Sequence, residues 1–245
     1  MSTKDWQTRT ELLIGEDGVS RLARAHVLLV GVGGVGAYAA EQLCRAGVGK
    51  LTIVDADKVA PSNINRQLPA LHSTVGQSKV EVMGRRLLDI NPDLKLNTVE
   101  EFIRDDRTSE LLDAAPYDCV LDAIDSLSPK VYLIYQTVQR AIPVVSVMGA
   151  GGKMDPHLVQ IADIAKSHHC HLAKAVRKRL YRLGVKHGVE VVFSSENVPE
   201  DAVIIDQDES INKLSTVGTI SYMPAVFGCF AASAVIRRLL GRLPV

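Results

Sequence analysis

Between residues 26 and 47 the chain passes from an unbroken aliphatic segment, His26-Val27-Leu28-Leu29-Val30, through Gly31-Val32-Gly33-Gly34-Val35-Gly36 into a helical pattern over 37–46 that stops at Gly47, where a helix cap is expected. A strand that is apolar on both faces belongs inside a sheet covered on both sides. Glycines at its exit let backbone N–H groups approach an anion at the start of the following helix. The feature therefore restricts this region to a strand–turn–helix nucleotide-binding design. A second strand over 51–54 ends at Asp55, an acid placed to hold ribose hydroxyls. These residues alone fit a dinucleotide site and an ATP site equally well. A merely structural glycine turn leaves the spacing of the acid unexplained.

Strand and helix signals keep alternating. Helices are expected over 77–89, stopping before Asn91-Pro92, and over 129–140; strands over 94–99, 117–121 and 143–147. This predicts a Rossmann-like, doubly wound, mostly parallel α/β sheet through residue 148. The remainder is less regular, with strands over 158–164 and 189–193, a helix over 172–183, an acidic loop over 196–209 and an apolar helix over 223–240. Residues 1–25 read as a polar helical lead-in. No repeat or low-complexity linker divides the chain. Residues 1–245 are read as one domain, with a nucleotide-binding half (1–148) and an elaborated half for the substrate (149–245).

Lys+Arg and Asp+Glu both number 28, so a polyanionic partner has to be met by a local patch. The four cysteines form no Cys-x-x-Cys pair, which argues against a zinc ribbon or a disulfide framework. Cys44, Cys119 and Cys229 are expected in packed positions. The apolar run from Met223 to Ile236 is too short to span a bilayer, so a cytoplasmic protein without a membrane partner is expected.

The segment after Asp55 decides between the two nucleotide readings. It runs Asp55-Ala56-Asp57-Lys58-Val59-Ala60-Pro61-Ser62-Asn63-Ile64-Asn65-Arg66-Gln67, with Gly76-Gln77-Ser78-Lys79 beyond it. A bound dinucleotide needs little beyond the helix N-terminus. A triphosphate that loses pyrophosphate needs cations where charge builds on the leaving group. Arg66 and Lys79 supply them, although either one alone reads as a solvated surface charge. With the glycine loop and the Ile90-Asn91-Pro92 helix end, these residues resemble the E1-like adenylating enzymes over roughly residues 9–150.

That resemblance implies ATP and Mg²⁺ as cofactors. It assigns Gly31, Gly33, Gly34 and Gly36 to the phosphate loop and Asp55 to the ribose. Asp57, Ser62, Asn63, Arg66, Gln67 and Ser126 fall to the remaining nucleotide contacts. Lys79 offsets the departing charge, and Asp125, in Asp122-Ala123-Ile124-Asp125-Ser126, holds Mg²⁺; taken alone, Asp125 is an ordinary helix cap. Arg9 matches an arginine that reaches the ATP of a neighbouring subunit, so a homodimer is implied. Arg66, Lys79, Asp125 and Arg9 form the catalytic set. Whether a monovalent cation sits beside the nucleotide stays open.

The second half resembles the branch of that superfamily that dehydrates N6-threonylcarbamoyladenosine in tRNA. The matching stretches are Met148-Gly149-Ala150-Gly151-Gly152-Lys153-Met154-Asp155-Pro156, Leu172-Ala173-Lys174, Arg177-Lys178-Arg179-Leu180 and Met223-Pro224-Ala225-Val226-Phe227-Gly228. The implied reaction is ATP-dependent cyclisation through an acyl adenylate, releasing pyrophosphate and AMP. The alternative is an adenylyltransferase acting on the C-terminal Gly-Gly of a ubiquitin-like sulfur carrier. A sulfur-relay partner is also conceivable, but the stretch 214–222 lacks the cysteine that some members of the branch carry there, which favours direct cyclisation. From Lys166 to His187 there is no Asp or Glu, which suits RNA contact through Lys174, Arg177, Lys178, Arg179 and Arg182; the bland alternative is a solvated helix balanced by the acidic stretch. His168-His169-Cys170-His171 reads as a polar helix start. Adjacent residues point in different directions, so the four cannot all face one metal ion. Cys170 as an acyl or sulfur acceptor remains a separate reading.

Overall fold

A computed structural model describes residues 5–205 and 215–242. The strands are β1 (His26–Val30), β2 (Lys50–Val54), β3 (Lys95–Val99), β4 (Cys119–Asp122), β5 (Val144–Val147), β6 (Val159–Asp163), β7 (Glu190–Ser194), β8 (Val203–Ile205) and β9 (Ser215–Val217). The helices are α1 (Thr8–Arg24), α2 (Gly36–Arg45), α3 (Lys79–Ile90), α4 (Asp106–Asp113), α5 (Leu127–Gln139), α6 (His171–Arg182) and α7 (Tyr222–Leu239).

Seven strands form one sheet in the order β3-β2-β1-β4-β5-β7-β6, parallel except where β6 runs antiparallel to β7. The order reverses between β1 and β4, so α2 and α5 leave from adjacent strand ends. That is the crevice in which open α/β sheets bind ligands. β1 from Val27 to Val30 and β4 from Cys119 to Leu121 are apolar because each lies between two apolar layers. Leu29, Leu43, Met83 and Phe227 pack on one side; Leu28, Val120, Ile134 and Leu180 on the other.

Helix ends follow local chemistry. α2 closes with Gly47 N–H on Cys44 O and Val48 N–H on Leu43 O, with Gly47 at φ +92°. α5 accommodates Pro129 in its first turn, where no N–H is required. α7 lies across α2, and Gly228 permits the approach, since a Cβ there would stand 2.6 Å from Val35 O.

The lead-in is helical as expected, forming α1, with a break at Gly15, whose φ of 77° interrupts the helix. Other expectations are corrected. α4, for which no element is expected, follows Asp105 at φ 47° and buries a short stripe of Thr108, Leu111 and Leu112. The acidic stretch contains a helical turn at Glu200–Ala202 and then β8, paired with β9; residues 206–209 lie outside the described ones, as does Leu214. Cys229 is exposed on α7 rather than packed, whereas Cys44 and Cys119 are buried as expected. No helix is long and apolar enough to cross a membrane, among the described residues.

Candidate active site

The glycine loop and the start of α2 are held by close backbone packing. At Gly31, φ is +91°, and a Cβ there would lie 2.8 Å from Ala123 O. At Gly36, a Cβ would overlap Gly31 O at 1.7 Å. The loop is thus folded tightly on itself and on the segment leaving β4. Larger residues at these two positions would open it.

Asp55, at the end of β2, anchors the loop directly. Its Oδ2 accepts Val32 N–H at 2.8 Å and its Oδ1 accepts Asp57 N–H at 2.8 Å. Burial pushes its carboxyl above the ordinary range, against the pull of Lys79 and of those two amides. A carboxylate has lone pairs to spare after two bonds, so a ribose hydroxyl remains within its capacity.

The polar segment after β2 folds over the loop. An added Cβ on Gly33 would meet the Gln67 amide at 3.6 Å, and one on Gly34 would meet Pro224 at 3.2 Å and Arg66 Cγ at 3.8 Å. Asn65 Nδ2 donates to Thr219 O at 3.0 Å, tying this segment to the chain before α7. Arg66 Nη1 donates to Ser62 O and Asn65 Oδ1. Asn63 Oδ1 accepts Ala60 N–H and so shapes the turn. Lys79, at the start of α3, is buried and pairs with the exposed Asp57 at 2.7 Å. Asp125 is exposed at the head of α5, with Ser126 Oγ 3.4 Å from its Oδ1.

Two polar atoms here are buried without a protein partner, Gln67 Oε1 and Ser78 Oγ. Buried polar groups are almost always paired, so an orphan on Gln67 beside Gly33 and another on Ser78 before Lys79 fit a nucleotide that completes them. The oxygen chemistry of Asp125 and Ser126 fits Mg²⁺ held jointly with phosphates rather than in a protein cage. No cluster of three or more His, Cys, Asp or Glu suited to a metal occurs among the described residues.

Other expected residues lie elsewhere. Gln7, buried beside Gly47, places the start of α1 at the far end of α2 from the glycine loop. Arg9, exposed on α1, is therefore remote from the glycine loop of its own chain. On α6, Lys174, Lys178 and Arg182 are exposed, whereas Arg177 turns inward to Ser167 O and Oγ at 2.7 and 2.6 Å. Arg179 donates to Ser128 Oγ on α5 at 2.7 Å. Cys170 is buried and its Sγ caps α6 by accepting Ala173 N–H at 3.5 Å.

Sequence reasoning missed the buried set formed by Asp122, Ser146 and Lys130. Ser146 Oγ donates to Asp122 Oδ2 at 2.6 Å, and Lys130 Nζ pairs with the same carboxylate at 2.8 Å. The signal was present: Lys130 shares its helical stripe with Leu133, Ile134 and Thr137, and a lysine on an apolar stripe is a buried charge in waiting.

The family model that matches is that of the ThiF family, over residues 7–245. The chain belongs to the ThiF family. Among its ThiF-family relatives, the tRNA threonylcarbamoyladenosine dehydratase of Bacillus subtilis is 40% identical over 239 residues, covering 95% of this chain and 94% of that one. The protein of that name from Haemophilus influenzae is 37% identical over 233 residues, covering 91% and 89%. A crystal structure of the E. coli tRNA N6-threonylcarbamoyladenosine dehydratase in complex with ATP superposes with a TM-score of 0.87 at 35% identity, covering 99% of this chain and 98% of that one.

Proposed function

We propose that this protein uses ATP to cyclise N6-threonylcarbamoyladenosine in tRNA. The reading rests on one observation: the likeness to dehydratases of that name extends over nearly the full length of both chains, including the second half, where the substrate would be chosen. In this reading a carboxylate oxygen of the threonyl group attacks the α-phosphorus of ATP and pyrophosphate departs. The neighbouring carbamoyl group then attacks the activated carbonyl and AMP leaves. The second step is intramolecular and so carries a large proximity advantage.

The chain's residues divide this work. Loop amides and the start of α2 receive phosphate, and Asp55 orients the ribose. Gln67 and Ser78 take up hydrogen bonds that are unmet in the protein alone. Arg66 and Lys79 bring positive charge to the departing pyrophosphate, Lys79 exchanging Asp57 for phosphate oxygens. Asp125 would hold Mg²⁺, which would supply further charge neutralisation at the phosphates.

RNA would approach along α6. Lys174, Lys178 and Arg182 form its exposed face, and beside it opens a cavity of about 260 Å³ lined by His168, His169, His171, Lys174 and Asn197, with no carboxylate in its wall. Arg9 would serve ATP only in a second copy of the chain. Leu12 and Leu13, 84% and 79% exposed on the same helix, are the apolar surface such a dimer would cover. Residues 1–245 would act as one cytoplasmic unit, with ATP on the first half and tRNA on the second.

The test is nucleoside mass analysis after incubation with ATP and threonylcarbamoylated tRNA. The modified adenosine should lose one water, with AMP formed in equal amount. AMP formation that is equally fast with unmodified tRNA would remove the substrate assignment. AMP formation stimulated instead by a small protein ending in Gly-Gly would favour the sulfur-carrier alternative.

A further inference from the structure

We propose that Lys130 is a positioning residue for this reaction, acting with Asp122 and Ser146 to fix the segment that carries Asp125 against the phosphate loop. Both members of the Lys130–Asp122 pair are fully buried. Taking two charges out of water is unfavourable, and replacing such a pair by well-packed apolar side chains is often neutral or stabilising. Stability alone therefore gives a weak reason for an ion pair at this point of the core.

Its geometry gives a better one. Asp122 Oδ1 accepts Ile124 N–H at 3.0 Å, and Lys130 Nζ donates to Ile124 O at 2.9 Å. The pair thus grips both hydrogen-bonding groups of a single residue, the one immediately before Asp125. Ser146, reaching across from β5, fixes the carboxylate that does half of this work. The gripped segment is also the one against which the glycine loop closes. Ala123 N–H donates to Val30 O at 2.8 Å, and a Cβ at Gly31 would meet Ala123 O. Phosphate loop and Asp125 are therefore set relative to each other through residues 123–124, and Lys130 closes that frame from the first turn of α5. Lys130 touches neither nucleotide nor substrate in this account. The inference rests on the reading of Asp125 as the Mg²⁺ residue.

The test removes all three polar groups together, in Asp122→Leu/Lys130→Met/Ser146→Ala, because Lys130→Met alone strands a buried carboxylate and endangers folding. The expected variant folds with a native circular dichroism spectrum. It binds Mn²⁺ in the presence of a non-hydrolysable ATP analogue about tenfold more weakly by electron paramagnetic resonance, the loss typical of groups that orient a metal's ligands. Amide exchange over residues 123–126 accelerates at least tenfold, while exchange in β1 and β2 is unchanged. A folded variant with wild-type Mn²⁺ affinity and wild-type exchange overturns the proposal. If the variant does not fold, the wild-type Ile124 amide decides: exchange as slow as that of β4 supports the grip, and exchange as fast as that of exposed turns refutes it. Asp125→Ala separates the two readings. Wild-type Mn²⁺ affinity in that protein removes the metal assignment, and exchange at 123–126 in the triple variant then judges the positioning role by itself.

Discussion

Lys79 and Asp125 illustrate what single residues contribute and how far a sequence discloses it. Lys79 is 4% exposed, so its charge is kept out of bulk water and acts at full strength on what lies beside it. Lys79→Met is expected to lower turnover by about 10²–10³-fold, the usual cost of deleting one charge aimed at a transition state. Asp125→Ala is expected to lower it by a similar factor while the protein still binds ATP in the absence of metal; single-turnover AMP release and equilibrium binding measure the two effects. The sequence singled out these residues through the stretches that resemble adenylating enzymes, Gly76-Gln77-Ser78-Lys79 and Asp122-Ala123-Ile124-Asp125-Ser126. It could not disclose that Asp55 also accepts the Val32 amide, or that Arg177 faces inward, since both bonds join residues ten or more apart in the chain. Cysteine chemistry follows the same division. Burial pushes the Cys44 thiol up to about 11 and the Cys119 thiol up to about 12, so both stay protonated and unreactive at neutral pH. Brief treatment of the native protein with iodoacetamide at pH 8 should modify Cys229 alone, read by peptide mass spectrometry.

At the scale of elements, the legible ones are those with a strong period or a glycine boundary. β1, β2, β4 and β5 are short, mainly aliphatic runs broken by few polar residues, and α2 lies between two glycine signals. β8 and β9 escaped because three residues are too few to show a period, and α4 because its stripe is confined to Thr108, Leu111 and Leu112. The packing of α7 on α2 was equally hidden, because contact between distant segments leaves no trace in either one. Gly228 is the tightest point of that contact. In Gly228→Ala the new methyl would stand 2.6 Å from Val35 O and 2.8 Å from Tyr38 Cβ, both at the start of α2. The expected cost is about 1–3 kcal/mol in urea denaturation. A weaker affinity for ATP should accompany it, since the displaced residues adjoin the phosphate loop.

For the molecule as a whole, the seven-stranded sheet joins both halves of the chain, with β6 and β7 extending the sheet built by the first five strands. The alternation of strands and helices predicted that architecture, whereas the reversed direction of β6 depends on how the chain returns between β5 and β7. Quaternary structure makes a separate prediction. If Arg9 acts on a second copy, replacing Leu12 and Leu13 by Glu should convert a dimer to a monomer in sedimentation velocity, and turnover should fall in both that variant and Arg9→Ala. Mixing Arg9→Ala with Asp125→Ala protein should then restore part of the activity, because one of the two sites in a mixed dimer is intact.

The seat of Pro224 against Gly34, with Thr219 holding Asn65, carries a consequence for biosynthesis. The first strands and the glycine turn leave the ribosome early, yet the wall opposite them arrives only with α7. Until then one face of α2 has nothing to bury it, and closing contacts across so long a stretch of chain is slow. A nascent chain halted before Tyr222 would therefore carry the phosphate-binding signature without the ability to use it, and ATP consumption would begin only once translation had passed that helix.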